Sequence, residues 1–403
     1  MTPVRILLLG FYYPPDISPG AFRAEALVHA LDAQLPAGSV LHVITTAPHR
    51  FMEADTPAPG EEYLESGNTR ITRLEISQPG KGMAGQALGF LGYARQVAKL
   101  ARGQEYDLVV ATSSRLMTAV LARWLAKRHG AMLYQDIRDN FVDNLPYVLP
   151  GSIGRALAPF FGVLERWALG KAQRVNLVSR GFEPYFSGRY PRQHFTWHTN
   201  GIDLPFVRAV EQGAFLPRPE CKVDVPLKVL YAGNIGAGQG LEHILPALAK
   251  RLEGRAEFLI VGGGGAVELL QQALDAQQVG NVTMQPPVPR DALIQAYRDA
   301  DVLFLHLNTL PSLDVVLPSK LFEYAATGRP VLAGVAGYAA RFIDEEIDNA
   351  AVFAPADVES AVAALGRLEL SSRPRPRFVA RWRRDGIMDQ MADEVLAVVK
   401  NEA

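Results

Sequence analysis

The sequence predicts an α/β protein of two domains, each a parallel sheet wrapped by helices, on the strength of three observations. Apolar strand-like runs alternate with helical runs in both halves of the chain. Glycine-rich turns follow several of those strands. The chain has 403 residues, more than one hydrophobic core usually organises. The strand-like runs are rich in Leu, Val and Ile without polar alternation, as befits strands covered on both faces.

In the first half, strands are expected at 5–9, 40–45, 71–74, 108–111, 132–136 and 174–178, with helices at about 20–34, 84–103, 115–128 and 152–171. In the second half, strands at 228–232, 257–261, 282–285, 302–306 and 331–333 alternate with helices at about 240–252, 266–278, 291–299 and 319–327. The irregular, Pro-bearing stretch from about 204 to 226, with Pro217-Arg218-Pro219, marks the boundary. The expected domains are therefore 1–205 and 206–370. A last segment, 371–403, ends in a helix at about 386–401 and has no strand of its own, so that helix is expected to cross back to the first domain. Ligands of such sheets sit beyond the carboxyl ends of the strands, so two facing sheets would enclose a central cleft.

Composition narrows the class. The chain is 48% hydrophobic and 21% charged, as soluble globular proteins are. A single cysteine, Cys221, excludes a disulfide framework and a multi-cysteine metal site. His194 and His198 are four apart on an extended segment, which would separate them by about 13 Å, so no metal is expected. The apolar run at the N-terminus is too short for a signal peptide, and no run reaches the roughly 18 residues of a spanning helix. The expected location is the cytoplasm, at the inner face of the cell membrane if the chain attaches peripherally. Residues 1–200 hold 21 Lys+Arg against 16 Asp+Glu, and the remainder 20 against 26. A basic first half suits an anionic lipid surface or a phosphorylated acceptor, and no nucleic-acid partner is expected.

The most informative segment runs from Leu317 to Leu332. Pro318 and Ser319 start a helix, and Gly328 with Pro330 stops it. Lys320, Glu323, Tyr324 and Thr327 fall on one face, with Leu321, Phe322, Ala325 and Ala326 directed inward. Lys320 would meet a phosphate at the helix start, and Glu323 could accept hydrogen bonds from a ribose diol. An ordinary buried helix with a Lys320–Glu323 surface pair is the competing reading. The strand at 228–232 runs into Gly233-Asn234-Ile235-Gly236-Ala237-Gly238-Gln239-Gly240, and that at 257–261 into Gly262-Gly263-Gly264-Gly265, so backbone N–H groups could approach phosphate oxygens. Neither turn has the spacing of a dinucleotide fingerprint, which disfavours NAD.

In the first half, the strand at 5–9 leads through Asp16, Ser18 and Gly20 to a helix bearing Arg23, a second candidate anion site; an ordinary loop capped by Ser18 is the alternative. Asp136-Ile137-Arg138-Asp139 places three charges at a strand end, expected to face a polar site, with salt bridges within the loop as the alternative. Residues 156–170, flanked by Arg155 and Lys171, form an apolar aromatic stretch that reads first as a buried core helix and second as an interfacial membrane surface.

These pieces, in this order, resemble glycosyltransferase family 4, retaining enzymes of the GT-B fold with two Rossmann-like domains, and among them bacterial enzymes of O-antigen, capsule and exopolysaccharide assembly. The likeness is carried by Tyr13-Pro14-Pro15-Asp16 with Gly20 and Arg23, Asp136-Ile137-Arg138-Asp139, Val178-Ser179-Arg180-Gly181-Phe182 and Asn200-Gly201-Ile202-Asp203. It continues through the 233–240 loop, Ala300-Asp301-Val302 and residues 318–332.

The resemblance implies transfer of a sugar, an N-acetylated hexosamine or a 6-deoxy relative, from a nucleotide diphosphate such as UDP to a lipid-linked or saccharide acceptor, without a metal cofactor. It implies donor binding by Gly233, Asn234, Gln239, Gly262, Pro318, Ser319, Lys320 and Glu323. It puts Asp16, Ser18, Gly20, Arg23 and Asp139 toward the acceptor, and Lys320, Asp136 and Arg138 at the chemistry. Three positions depart from the family pattern: Val315, beside Asp314, stands where many members have glutamate, Asn234 and Gln239 stand where many have loop cations, and Asp136 stands where many have histidine. A GT-B UDP-sugar epimerase and a catalytically silent sugar-nucleotide-binding subunit are the alternatives. Acceptor-dependent release of nucleotide diphosphate would single out the transferase.

Overall fold

A computed structural model describes residues 2–16, 18–48, 59–76, 83–113, 115–149, 152–215 and 225–400. Pro217, Arg218, Pro219 and Cys221 lie outside these residues. The chain forms two compact units, Met1–Asn200 with Arg384–Ala403, and Gly201–Arg383. The division falls after Asn200 and after Arg383, rather than after 205 and 370 as expected from the sequence.

The first unit carries β1 (Arg5–Gly10), β2 (Val40–Thr46), β3 (Gly60–Tyr63), β4 (Thr69–Leu74), β5 (Leu108–Ser113), β6 (Met132–Ile137), β7 (Arg174–Leu177) and β8 (Phe195–Thr196), in the sheet order β3-β4-β2-β1-β5-β6-β7-β8. All pairs are parallel except the edge pair of β3 with β4. Ile6, Leu7, Leu8 and Leu9 are all buried, so β1 is covered on both faces, as its unbroken apolar run requires. The edge strand β3 escaped sequence reading because Gly-Glu-Glu-Tyr has no apolar run, and it pairs on one side only.

The second unit carries β9 (Leu227–Ala232), β10 (Ala256–Val261), β11 (Val282–Gln285), β12 (Val302–His306), β13 (Val331–Gly334) and β14 (Ala350–Phe353), in the order β11-β10-β9-β12-β13-β14, with every pair parallel. Alternation along β12 sends Leu303 and Leu305 into one apolar cluster and Val302 and Phe304 into another, one on each face of the sheet. The first cluster takes Leu321, Phe322, Tyr324 and Ala325 from the helix Lys320–Ala326, together with Phe378 and Val379 from the helix Pro376–Trp382. The second takes Leu241, Ile244, Leu245 and Leu248 from the helix Leu241–Arg251. Helices cover both faces of the parallel sheet, so this is an α/β protein with two sheet-bearing units, as the sequence predicts.

The C-terminal segment divides. The helix Pro376–Trp382 stays with the second unit, and Arg384–Lys400 joins the first. The latter packs on the helix Pro19–Gln34, where Gln34 Nε2 donates to the Asp389 carbonyl at 3.0 Å. Among the described residues no helix is long and apolar enough to cross a membrane.

Candidate active site

In the second unit the strand order reverses at β9, which pairs with β10 on one side and β12 on the other, so the loops after β9 and β12 diverge over the carboxyl edge of the sheet. The glycines after β9 and β10 let these loops stack. A side chain at Gly262 (φ +158°) would overlap the Gly233 carbonyl oxygen. Ile235 N donates to the Gly263 carbonyl at 2.9 Å, and Asn308 N, beyond β12, to the Gly238 carbonyl at 2.9 Å. Asn234 Nδ2 donates to Gln239 Oε1 at 2.7 Å. The two residues that replace the family's cations therefore tie the loop to itself.

Lys320 reaches this loop. Its Nζ donates to Tyr231 Oη at 2.6 Å, lies 3.8 Å from the centre of the Tyr231 ring, and sits 2.7 Å from where a Cβ on Gly233 would stand. The Tyr231 hydroxyl in turn donates to the Asn234 carbonyl. Burial lowers the Lys320 pKa to about 7, with Glu323 one turn on opposing the shift. Near neutral pH the amine is thus poised between its neutral and charged forms, and an arriving anion favours the charged one. The Tyr231 bond uses one of the ammonium's three donors. Glu323 is half-buried and accepts from Tyr297 Oη at 3.4 Å.

Two features of this helix differ from expectation. It has seven residues, Lys320–Ala326, and Ser319 makes no side-chain cap bond, so its dipole offers an anion little. Tyr324 and Thr327 do not join Lys320 and Glu323 on an open polar face. Both are buried, with Tyr324 Oη accepting from Ala232 N at 2.9 Å and Thr327 Oγ1 donating to the Tyr324 carbonyl at 2.8 Å. Their hydroxyls satisfy backbone groups, leaving Lys320 and Glu323 as the site-facing pair.

The first unit corrects the expectation for Asp136 and Arg23. Both side chains are 0% exposed. Arg23 Nε and Nη2 donate to the two Asp136 oxygens at 2.8 and 2.9 Å, and its Nη1 and Nη2 also donate to the carbonyls of Thr199 and His198, each at 2.7 Å. Asn176 Nδ2 and Thr112 Oγ1 each donate to Asp136 at 2.7 Å. Burial alone would push the Asp136 carboxyl up, but the Arg23 guanidinium together with Asn176 and Thr112 outweighs it and holds the pKa below the usual range. Asp136, expected at the chemistry, and Arg23, expected toward the acceptor, are thus engaged with each other and tie β6 to the helix Pro19–Gln34.

Asp16 is also buried, its amide donating to the Tyr13 carbonyl at 3.1 Å. Ser18 Oγ caps the same helix, accepting from Ala21 N at 3.2 Å. Arg138 is half-buried and lies directly on Gly20, where any Cβ would fall on its guanidinium. Burial lowers its pKa, and Asp136 and Asp139 oppose that. Burial pushes the Asp139 carboxyl up to about 6, with the Arg138 guanidinium opposing the shift. The structure thus gathers Ser18, Gly20 and Arg138 at the start of this helix, with Asp139 next along the chain, while Asp136 and Arg23 lie beneath.

Sequence reasoning missed Tyr231, which reads as one more core residue of β9, and His306 at the end of β12. His306 pairs through Nδ1 with the Gln239 carbonyl at 2.6 Å, and its Nε2 accepts from Ala356 N at 3.0 Å, which fixes the proton on Nδ1. Burial lowers its pKa to about 4, so it is neutral. Among the described residues no group of three or more His, Cys, Asp and Glu could hold a metal ion.

Comparison with known proteins agrees with this architecture. Residues 21–198 match the family described as glycosyl transferase 4-like domain, and residues 226–369 match glycosyl transferases group 1. The putative colanic acid biosynthesis glycosyl transferase WcaI of Escherichia coli (strain K12) is 25% identical over 404 residues, covering 96% of this chain and 97% of that protein. Similar solved structures include Anabaena Alr3699/HepE in complex with UDP and glucose (TM-score 0.62, 15% identity, 98% of this chain and 100% of that one). Another is WaaG, a glycosyltransferase involved in lipopolysaccharide biosynthesis (TM-score 0.60, 15% identity, 98% of each chain). With its two halves matched in order by a glycosyl transferase 4-like domain and a glycosyl transferases group 1 domain, the chain belongs to the glycosyltransferases.

Proposed function

We propose that this glycosyltransferase moves a sugar from a UDP-sugar to a lipid-linked or saccharide acceptor in surface polysaccharide assembly, with retention at the anomeric carbon and without a metal. It works in the cytoplasm, at the inner face of the membrane. The observation that carries the reading is the Lys320 amine against Gly233, where two glycine turns bring backbone close together. Support for the donor comes from Alr3699/HepE, whose structures hold UDP with glucose or UDP-glucose, and support for the setting comes from WcaI and WaaG.

In this reading Gly233, Gly262, Pro318 and Ser319 surround the diphosphate, and Glu323 holds the ribose. Asn234 and Gln239 act by fixing the loop's shape. As the bond from anomeric carbon to phosphate oxygen breaks, negative charge grows on the diphosphate, and the Lys320 ammonium stabilises that charge more than it stabilises the ground state. The leaving phosphate oxygen takes the acceptor proton from the same face, so no carboxylate base is needed, consistent with the engagement of Asp136 by Arg23. Arg138, over Gly20, supplies positive charge on the acceptor side.

The test is a thermal-shift panel of UDP, GDP and ADP, followed by an assay of UDP release from UDP-sugars with and without saccharide acceptors. A melting-point rise with UDP and acceptor-dependent release are expected. Release without acceptor, or interconversion of the UDP-sugar, would contradict the transferase reading. No shift with any nucleotide would contradict the donor site.

A further inference from the structure

The helix Ser152–Leu169 was expected to be buried in the core, and it is not. Gly154, Gly162, Glu165, Ala168 and Leu169 pack inward, while Ile153, Leu157, Phe160, Val163 and Trp167 are exposed, Phe160 by 60%. At about 100° per residue these five side chains fall within an arc of roughly 120°. Arg155 and Arg166, both exposed, stand together about 60–80° beyond one side of that arc, with exposed Lys171 just beyond the helix. The helix Leu116–His129 packs beside it and adds exposed Trp124, Lys127 and Arg128. Between residues 144 and 182 the only acidic side chain is Glu165. It is buried and accepts from Tyr190 Oη at 2.5 Å and Tyr185 Oη at 3.2 Å.

An exposed apolar arc bordered by cations, with its one carboxylate turned inside, has the chemistry of a helix that lies in a lipid interface: aliphatic and aromatic groups enter the acyl boundary and arginines meet phosphates. Tryptophan is the residue most suited to that depth. Five apolar side chains held out of the core on one helix make a patch of the kind that marks an interaction surface. A second copy of this chain would match the apolar arc, but it would bring the same cations against one another. We propose that Ser152–Leu169 docks the first unit on an anionic lipid bilayer, lying along its surface. This deepens the lipid-linked acceptor named above by assigning the surface that brings the enzyme to it, and it rests on that reading for its purpose but not for its test.

The experiment is co-sedimentation of the full chain with vesicles of phosphatidylglycerol and phosphatidylcholine, and with phosphatidylcholine alone. Binding to the anionic vesicles that weakens with salt is expected. Phe160→Glu should cut the partition coefficient at least about tenfold, since it replaces an inserted ring by a charge. Arg155→Glu with Arg166→Glu should remove the preference for anionic lipid. Both sets of side chains are exposed, so the melting temperature and its shift with UDP should stay as in the parent chain. Equal binding by Phe160→Glu, no binding by the parent chain, or a dimer that Phe160→Glu dissociates would overturn the proposal. A missing UDP shift alongside intact vesicle binding would instead count against the donor site alone.

Discussion

At the scale of single residues, the Arg23–Asp136 pair shows how one sequence signal can carry two meanings. A charged residue at the end of an apolar strand is costly unless it has partners, and sequence spacing cannot say whether those partners are protein or substrate. Here Asn176, Thr112 and the carbonyls of His198 and Thr199 complete the pair from 24 to 176 residues away, distances that no local pattern encodes. Asp136→Asn should therefore act on stability. Leaving Arg23 buried and under-compensated should destabilise the first unit by about 3–5 kcal/mol in denaturant unfolding, and Arg23→Met in the same chain should recover part of that loss. A variant as stable as the parent but inactive would return Asp136 to the chemistry. Lys320 was legible because it sits in a marked helix start, and its partner Tyr231 was not, since a tyrosine within an apolar strand reads as core.

At the scale of elements, the parallel strands that were expected match to within about two residues, because burial on both faces imposes an unbroken apolar run. The apolar strand β14 (Ala350–Phe353) and the helix Gly337–Glu346 were missed, and the other missing pieces were short or polar. The edge strand β3 and the helices Phe141–Val148 and Leu204–Glu211 have too few residues to show a period. The helix Ser152–Leu169 failed in the opposite way: its apolar content was plain, but composition does not reveal which way an apolar face points.

The glycine turns make a sharper test. Gly262→Ala would drive a methyl into the Gly233 carbonyl, whereas a Cβ at Gly265 meets nothing within 4 Å. Gly262→Ala should lower stability by about 2 kcal/mol or more and weaken nucleotide binding, while Gly265→Ala should leave the unfolding midpoint nearly unchanged. Equal midpoints for the two variants would mean that the stacked turns do not constrain the loop.

At the scale of the whole molecule, each unit contains a buried neutral histidine. Burial lowers His42 to about 4, with Arg70 adding to the shift, and His306 also to about 4. In an unfolded chain both would bind protons below about 6.5. Their contribution to stability is therefore complete above pH 6.5 and is lost as pH falls toward 4, by about 3 kcal/mol for each site. Melting curves between pH 7 and 4.5 should show the midpoint falling, and His42→Asn or His306→Asn should flatten that fall. A parent chain whose midpoint is independent of pH over this range would contradict the neutral, buried state of both rings.

The central claim is that Lys320 carries the charge that meets the donor's diphosphate, and the affinity for a UDP-sugar measured from pH 6 to 9 tests it most directly. The diphosphate of a UDP-sugar does not itself titrate in this range, and binding should raise the Lys320 pKa above its free value of about 7. The contribution of the ammonium is then fully present below pH 7 and is lost as pH rises toward the bound-state pKa. The parent chain should lose affinity by about tenfold per pH unit above 7, and Lys320→Ala should bind more weakly at pH 6 with no such slope. A flat profile in the parent chain, or an unchanged slope in Lys320→Ala, would contradict the account.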